Sequence, residues 1–149
     1  MESINISISR NDVYQEVMKA TDYTGAKLIF NDENAREKFY ATQTDLSTLS
    51  RFWDEAAETF NERLKSMVVS CSSENNRYEA VIEVSKSFDK NLAPSVEKTS
   101  RSFFIAFIIG EWFKISKKDE AADYFNDADE QLTNVERLLY SRKKPTIPT

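Results

Sequence analysis

Residues that do chemistry near neutral pH are sparse in this chain, which has no histidine and a single cysteine, Cys71, among 149 residues. Histidine is the ordinary general base and the commonest transition-metal ligand. Its absence removes serine and cysteine triads, histidine-containing zinc and non-haem iron sites, and the histidine-dependent di-iron sites of helical bundles. Cys71 has no second thiol with which to form an internal disulfide or share a metal. It reads as a small, unreactive thiol at the end of a helix or strand. Carboxylates remain: Glu55, Glu58 and Glu62 on one helical stretch, and Asp123, Asp127 and Glu130 on another. Paired carboxylates can do acid–base or glycosidase work. Each cluster lies opposite an apolar stripe, however, and reads as a solvated helix face. Asp127-Ala128-Asp129 begins like a calcium loop but lacks the required glycine and falls within a continuous helical pattern. Neither glycine sits in a phosphate-binding pattern. The expectation is a non-enzyme with no catalytic residue, no cofactor, no metal ligand and no small-molecule substrate.

Charge says more than the candidate acids do. The 25 acidic and 20 basic side chains give a net charge of −5, and Arg142, Lys143 and Lys144 alone contribute +3, so the rest of the chain carries −8. An acidic body does not wrap nucleic acid, because phosphate affinity comes from cations. It does suit the wall of a passage through which DNA slides without sticking. The basic end suits an acidic partner, a phosphate, or simple solubility.

The elements that must position these groups follow from periodicity. Ile4, Ile6 and Ile8 alternate with polar residues, which predicts a short strand or an extended arm over 1–9. Ser9-Arg10-Asn11-Asp12 reads as a capping box, with Ile8 and Val13 at the staple positions. The helix that follows carries Val13, Tyr14, Val17, Met18 and Thr21 on one side and is expected to stop at Gly25. A second helical region starts near Asn31 or Asp32, with Ala35 and Phe39, and bends around Thr42 to Thr44. From Leu46 the stripe Leu46, Leu49, Trp53, Ala56, Phe60, Leu64, Met67 defines a long amphipathic helix. A β-hairpin is expected next, with strands at about 67–72 and 77–84 around the polar cluster Ser72 to Asn76. The β-branched residues at 81, 82 and 84 favour strand over a competing helix. Since an isolated hairpin is marginal, it must pack on the helices, pair with the N-terminal arm, or pair with another chain.

Pro94 fits a first helical turn, and a helix from about 93 to 115 follows. Between Phe103 and Ile115 that helix is apolar nearly all round, so it must be covered on every side. Two arrangements satisfy this: an ordinary central helix, or a face completed by neighbouring subunits. The stretch Phe103 to Ile109 is far short of the roughly 20 apolar residues a membrane span needs. Ser116-Lys117-Lys118-Asp119 reads as a second capping box, opening a last helix in which Ala121, Phe125, Ala128, Leu132, Val135 and Leu139 keep a heptad spacing suited to bundle packing. Past Pro145 the chain cannot be helical, so 141–149 reads as a basic extended tail. The start Met1-Glu2-Ser3 lacks a signal-peptide pattern, which predicts use without secretory processing. The expected fold is mainly α: a single domain over 1–149, four-helix bundle-like, with one hairpin at about 67–84, the arm and the tail.

The second half is similar to a known class. Tyr78 to Phe88 as strand into loop, the apolar helix Ser102 to Phe113 ending Glu111-Trp112-Phe113, Ala121-Ala122-Asp123-Tyr124-Phe125, Leu138-Leu139-Tyr140 and the closing Arg142-Lys143-Lys144-Pro145 together resemble small helical neck proteins of tailed bacteriophages, of the head–tail connector, adaptor or tail-completion class. The resemblance covers about residues 78–145 and its motifs are structural. It implies a virion component, assembled in the host cytoplasm, that forms a homo-oligomeric ring around the DNA channel and meets portal or tail proteins. On this reading Ile4, Ile6, Ile8, Tyr78, Ile82, Arg142, Lys143 and Lys144 are the candidate partner contacts. The competing reading is a bacterial cytoplasmic helical adaptor or regulator that holds a protein partner or a hydrophobic ligand on the same apolar helix. An enzyme working with carboxylates alone is the third, and needs a cleft with convergent acids.

Overall fold

The computed structural model describes residues 2–27 and 46–142, the side chains at 23–27, 115 and 116 excepted. The expected helix near residue 31 and most of the tail, Lys143 and Lys144 included, lie outside the described residues. In chain order the elements are β1 (Glu2–Ser9), α1 (Arg10–Lys27), α2 (Leu46–Arg63), β2 (Val68–Ser72), β3 (Arg77–Val84), a short 3-10 turn (Lys90–Leu92), α3 (Ala93–Ser116) and α4 (Lys118–Leu139). The chain is mainly helical, with a hairpin and an N-terminal strand as its sequence predicts.

The three strands form one antiparallel sheet in the order β1-β3-β2. Ile4 faces Ile82, Ile6 faces Ala80 and Ile8 faces Tyr78 across the β1–β3 ladder. Strand alternation therefore sends all of these side chains to the same inner face, where each is buried. This corrects the expectation that Ile4, Ile6, Ile8, Tyr78 and Ile82 contact a partner: these apolar side chains are buried within their own chain. The hairpin closes through Asn75 and Asn76, both at φ 59°, with the Arg77 N–H donating to the Glu74 carbonyl at 3.2 Å. Two successive positive φ values are what a type I′ turn requires, and asparagine tolerates them better than most residues do.

The inner sheet face packs on aromatic side chains from α2 and α3. Tyr78 meets Phe60 at 5.5 Å between ring centroids and Phe104 at 5.2 Å, and Phe104 meets Trp53 at 4.9 Å. The Tyr78 hydroxyl is hydrogen-bonded to the Asn61 side-chain carbonyl, and burial raises its pKa far above the ordinary phenol value. The indole N–H of Trp53 is buried without an acceptor among the described residues. In α3, Phe103, Phe104, Ala106, Ile108, Ile109 and Phe113 are buried and Ile105, Phe107 and Trp112 half-buried. Within the chain, α1, α2, α4 and β1 pack against this greasy helix. Each fully buried large side chain there contributes about 1.5–3 kcal/mol.

Two expected helix boundaries move. Helix α1 passes through Gly25 to Lys27, because a helical glycine costs only about 1 kcal/mol relative to alanine. The N-cap position of α4 falls on Lys117 rather than Ser116. Helix α3 runs through Ser116, and Lys117 alone, at φ −153° and ψ 78°, separates the two helices. The first turn of α4 is served by Asp119, whose carboxyl is held below the ordinary range chiefly by its own backbone N–H, then by Lys117. At the first capping box, Ser9 Oγ does accept from the Asp12 N–H, at 3.4 Å.

Candidate functional site

The apolar side of α2 (Leu49, Phe52, Trp53, Ala56, Ala57, Phe60) is buried. Its other side therefore presents Glu55, Glu58, Thr59 and Glu62, at helical spacings of three, one and three, to the outside. These residues form one wall of an open groove of about 770 Å³ whose floor is Phe107 of α3 and Leu132 of α4. Phe107 is only half-buried, and Leu132 is 2 % exposed. The groove thus sets an apolar floor beneath an acidic wall.

Arg63 closes one end of the groove and ties α2 to α4. Its Nε donates to Glu136 Oε1 at 2.6 Å, its Nη1 to Asp129 Oδ1 at 3.2 Å and its Nη2 to Thr133 Oγ1 at 3.0 Å. Burial works against the guanidinium charge, but the bonds to Asp129 and Glu136 outweigh it and raise the pKa. Asp129 is therefore an ion-pair partner within α4, as the missing calcium-loop glycine leads one to expect. Its other pattern-mate, Asp127, accepts from Gln131 Nε2 one turn on.

Glu111 stands one helical turn beyond Phe107 and reaches Glu55 across the α2–α3 seam. Its pKa is raised, first by burial and then by the charge of Glu55 and a hydrogen bond with it, while Lys114 and Arg51 pull it back. Burial and the neighbouring negative charge both disfavour the ionised form of Glu111. The sequence carries a signal for this apart from its acidic clusters: Glu111 is the sole ionisable residue between Ser102 and Phe113. An ionisable side chain in so apolar a run needs a partner. The groove and this pair can hold a cationic, partly apolar segment: carboxylates for its charges, Phe107 and Leu132 for its aliphatic parts.

A second open surface lies on the sheet. β2 is an edge strand with Val69 62 % exposed at a bulge between Val68 and Ser70, and Cys71 is exposed beside it. A recess of about 550 Å³ runs over the outer face between Asn5, Ser7, Ser70, Cys71 and Glu79. At the other edge, the Ser7 N–H of β1 donates to Glu97 Oε2 at 3.1 Å, and Glu2 pairs with Lys90 at 3.4 Å. Of the candidate partner contacts, Arg142 is exposed, and its backbone forms a bridge to Phe88.

Comparison with family models, with curated proteins and with solved structures finds no match for this chain. Among the described residues no group of three histidine, cysteine, aspartate or glutamate side chains is placed to hold a metal ion. No helix among them is long and apolar enough to cross a membrane.

Proposed function

We propose that the chain is a structural assembly subunit of a phage particle, a head–tail connector or tail-completion protein that forms a ring around the DNA channel. The observation that carries this reading is the groove between α2, α3 and α4: an acidic wall of Glu55, Glu58 and Glu62 over an apolar floor of Phe107 and Leu132. The same chain ends in a segment of opposite charge and matching character, Arg142-Lys143-Lys144 followed by Pro145, Ile147 and Pro148. A surface and its complement on different parts of one molecule make a heterologous contact, and heterologous contacts close into rings when the rotation permits. The −8 body suits a lumen that does not bind the passing genome, and the resemblance over residues 78–145 points to the same class.

The test is to remove each half of the contact separately. A chain truncated after Tyr140, and the full chain with Glu58→Lys and Glu62→Lys, are both expected to lose self-association and to lose it in the same concentration range. Portal or tail proteins are then offered to the intact chain. Self-association unaffected by either change refutes the groove–tail contact, and a chain that neither associates nor binds a portal or tail component refutes the connector reading.

The adaptor reading uses the same groove for a different protein's basic amphipathic segment. A pull-down from host lysate that recovers one soluble partner in fixed stoichiometry, competed by a peptide of residues 141–149, favours it and places the chain in the bacterial cytoplasm. Absence of any competed partner, with self-association intact, favours the ring.

A further inference from the structure

A second site stands away from the groove, where the N-terminus of α1, the β1–β3 ladder and the first half of α3 meet. There a recess of about 260 Å³ is lined by Arg77, Lys98 and Arg101 together with the hydroxyls of Ser7 and Ser9. Sequence order hides this cluster. Arg77 is brought in by the register that sets it opposite Ser9, while Lys98 and Arg101 are neighbours three apart on α3.

The hydrogen bonds around the recess leave its donors available. Arg77 Nη1 donates to Ser7 Oγ at 2.7 Å, which uses one of five guanidinium donors. Ser7 and Ser9 each act as acceptors here, Ser9 from the Asp12 N–H, so both keep an O–H to donate. Glu97 and Asp12 are the two acids at the rim. Glu97 is four residues before Arg101, a spacing that usually pairs them, yet it accepts from the Ser7 backbone N–H. Among the described residues neither Lys98 nor Arg101 takes part in an ion pair. Three cations against two acids leave the recess with a local charge of +1 inside a body of −8. The positive end of the α1 macrodipole adds to it.

We propose that this recess binds a phosphate group, with Arg77, Lys98 and Arg101 as its charged contacts and the Ser7 and Ser9 hydroxyls as neutral donors. A guanidinium fork and an ammonium in one recess match the geometry and charge of a tetrahedral oxyanion. The inference does not depend on ring formation.

The test is a titration of the full chain with inorganic phosphate at low ionic strength, followed by amide chemical shifts and by calorimetry. Saturable shifts are expected at 7–12, 77 and 97–101. Lys98→Gln and Arg101→Gln are each expected to weaken binding by about tenfold, the effect of losing one charge-assisted contact. Asp12→Asn, which raises the local charge, is expected to tighten it. Both cations are exposed and, among the described residues, in no ion pair, so the substituted chains are expected to melt at the parent temperature without phosphate. A short oligodeoxynucleotide that displaces phosphate from the same amides identifies the natural source as a nucleic-acid backbone; failure to displace it identifies a free phosphate or small phosphorylated molecule. No saturable shift, shifts elsewhere, or equal affinity in the parent and both glutamine variants overturns the proposal.

Discussion

Among the described residues helices α3 and α4 form the most extensive helix–helix contact, and Gly110 lies in it against the Phe125 ring. A β-carbon placed at Gly110 would lie 2.9 Å from both Cδ1 and Cε1 of Phe125 and 3.2 Å from Cγ. Since carbon atoms prefer about 3.5–4.0 Å, the ring would have to retreat by roughly 0.6 Å. That ring also meets the Phe107 ring edge-on at 5.8 Å, and Phe107 lines the acidic groove. Gly110→Ala therefore sets two effects against each other. Helix propensity favours alanine by about 1 kcal/mol, and overpacking costs about 1–3 kcal/mol. A net destabilisation of about 1 kcal/mol is expected, because three ring atoms, Cγ among them, must move together. In a Phe125→Leu background the obstruction is gone and the same substitution should become neutral or stabilising. The two changes thus couple by about 1–2 kcal/mol. Urea denaturation of the four chains, followed by tryptophan fluorescence, measures this directly. Gly110→Ala that stabilises by the full propensity gain, with additive behaviour in the double variant, would refute the close approach and its transmission to the groove floor.

Three further outcomes follow from the described contacts. Glu111→Gln removes an acid whose pKa is raised by burial and by Glu55. Between the ordinary carboxylate pKa and the raised one, the folded parent holds more protons than the unfolded chain, so its stability falls as pH rises through that window. The variant should be more stable than the parent at neutral pH by a few tenths of a kcal/mol, the scale of a like-charge pair. That gap should close below the ordinary carboxylate range; thermal melts across pH showing parallel profiles would contradict it. Asn76→Gly should stabilise the hairpin slightly, and Asn76→Val should cost about 1–2 kcal/mol, because position 76 sits at positive φ; chemical denaturation checks both. Arg63→Ala should cost about 1 kcal/mol or less despite three hydrogen bonds, because Asp129 is largely exposed and surface pairs are weak. A loss of several kcal/mol on denaturation would show the α2–α4 tie to matter more than its exposure implies.

Much of the fold was legible because periodicity dominates it. The alternation of Ile4, Ile6 and Ile8 marked a strand or extended arm with one apolar face, and the heptad from Ala121 to Leu139 marked a packed helix. Boundaries were less legible where a weak local preference met strong packing: Gly25 lacked the energy to end α1, and Ser116 stayed in α3. The partner assignment for Ile4, Ile6, Ile8, Tyr78 and Ile82 failed for a different reason. An apolar alternating strand states that one face must be covered, not by which chain, and here β3, α2 and α3 cover it. The groove was half legible: Glu55, Glu58 and Glu62 were visible as a face, but the floor from Phe107 and Leu132 depends on how three helices assemble. Neither the Glu55–Glu111 contact nor the meeting of Arg77 with Lys98 and Arg101 leaves a trace in spacing, since each joins residues far apart in the chain.

The most direct measurement is the mass of the full chain in solution by light scattering, across concentration and ionic strength, with negative-stain images of the same sample. The assembly reading predicts a discrete annular oligomer that dissociates as salt screens the groove from the basic tail, and that is lost on truncation after Tyr140. A particle of monomeric mass at every concentration, with no rings in the images and no binding to a portal or tail protein, would contradict it.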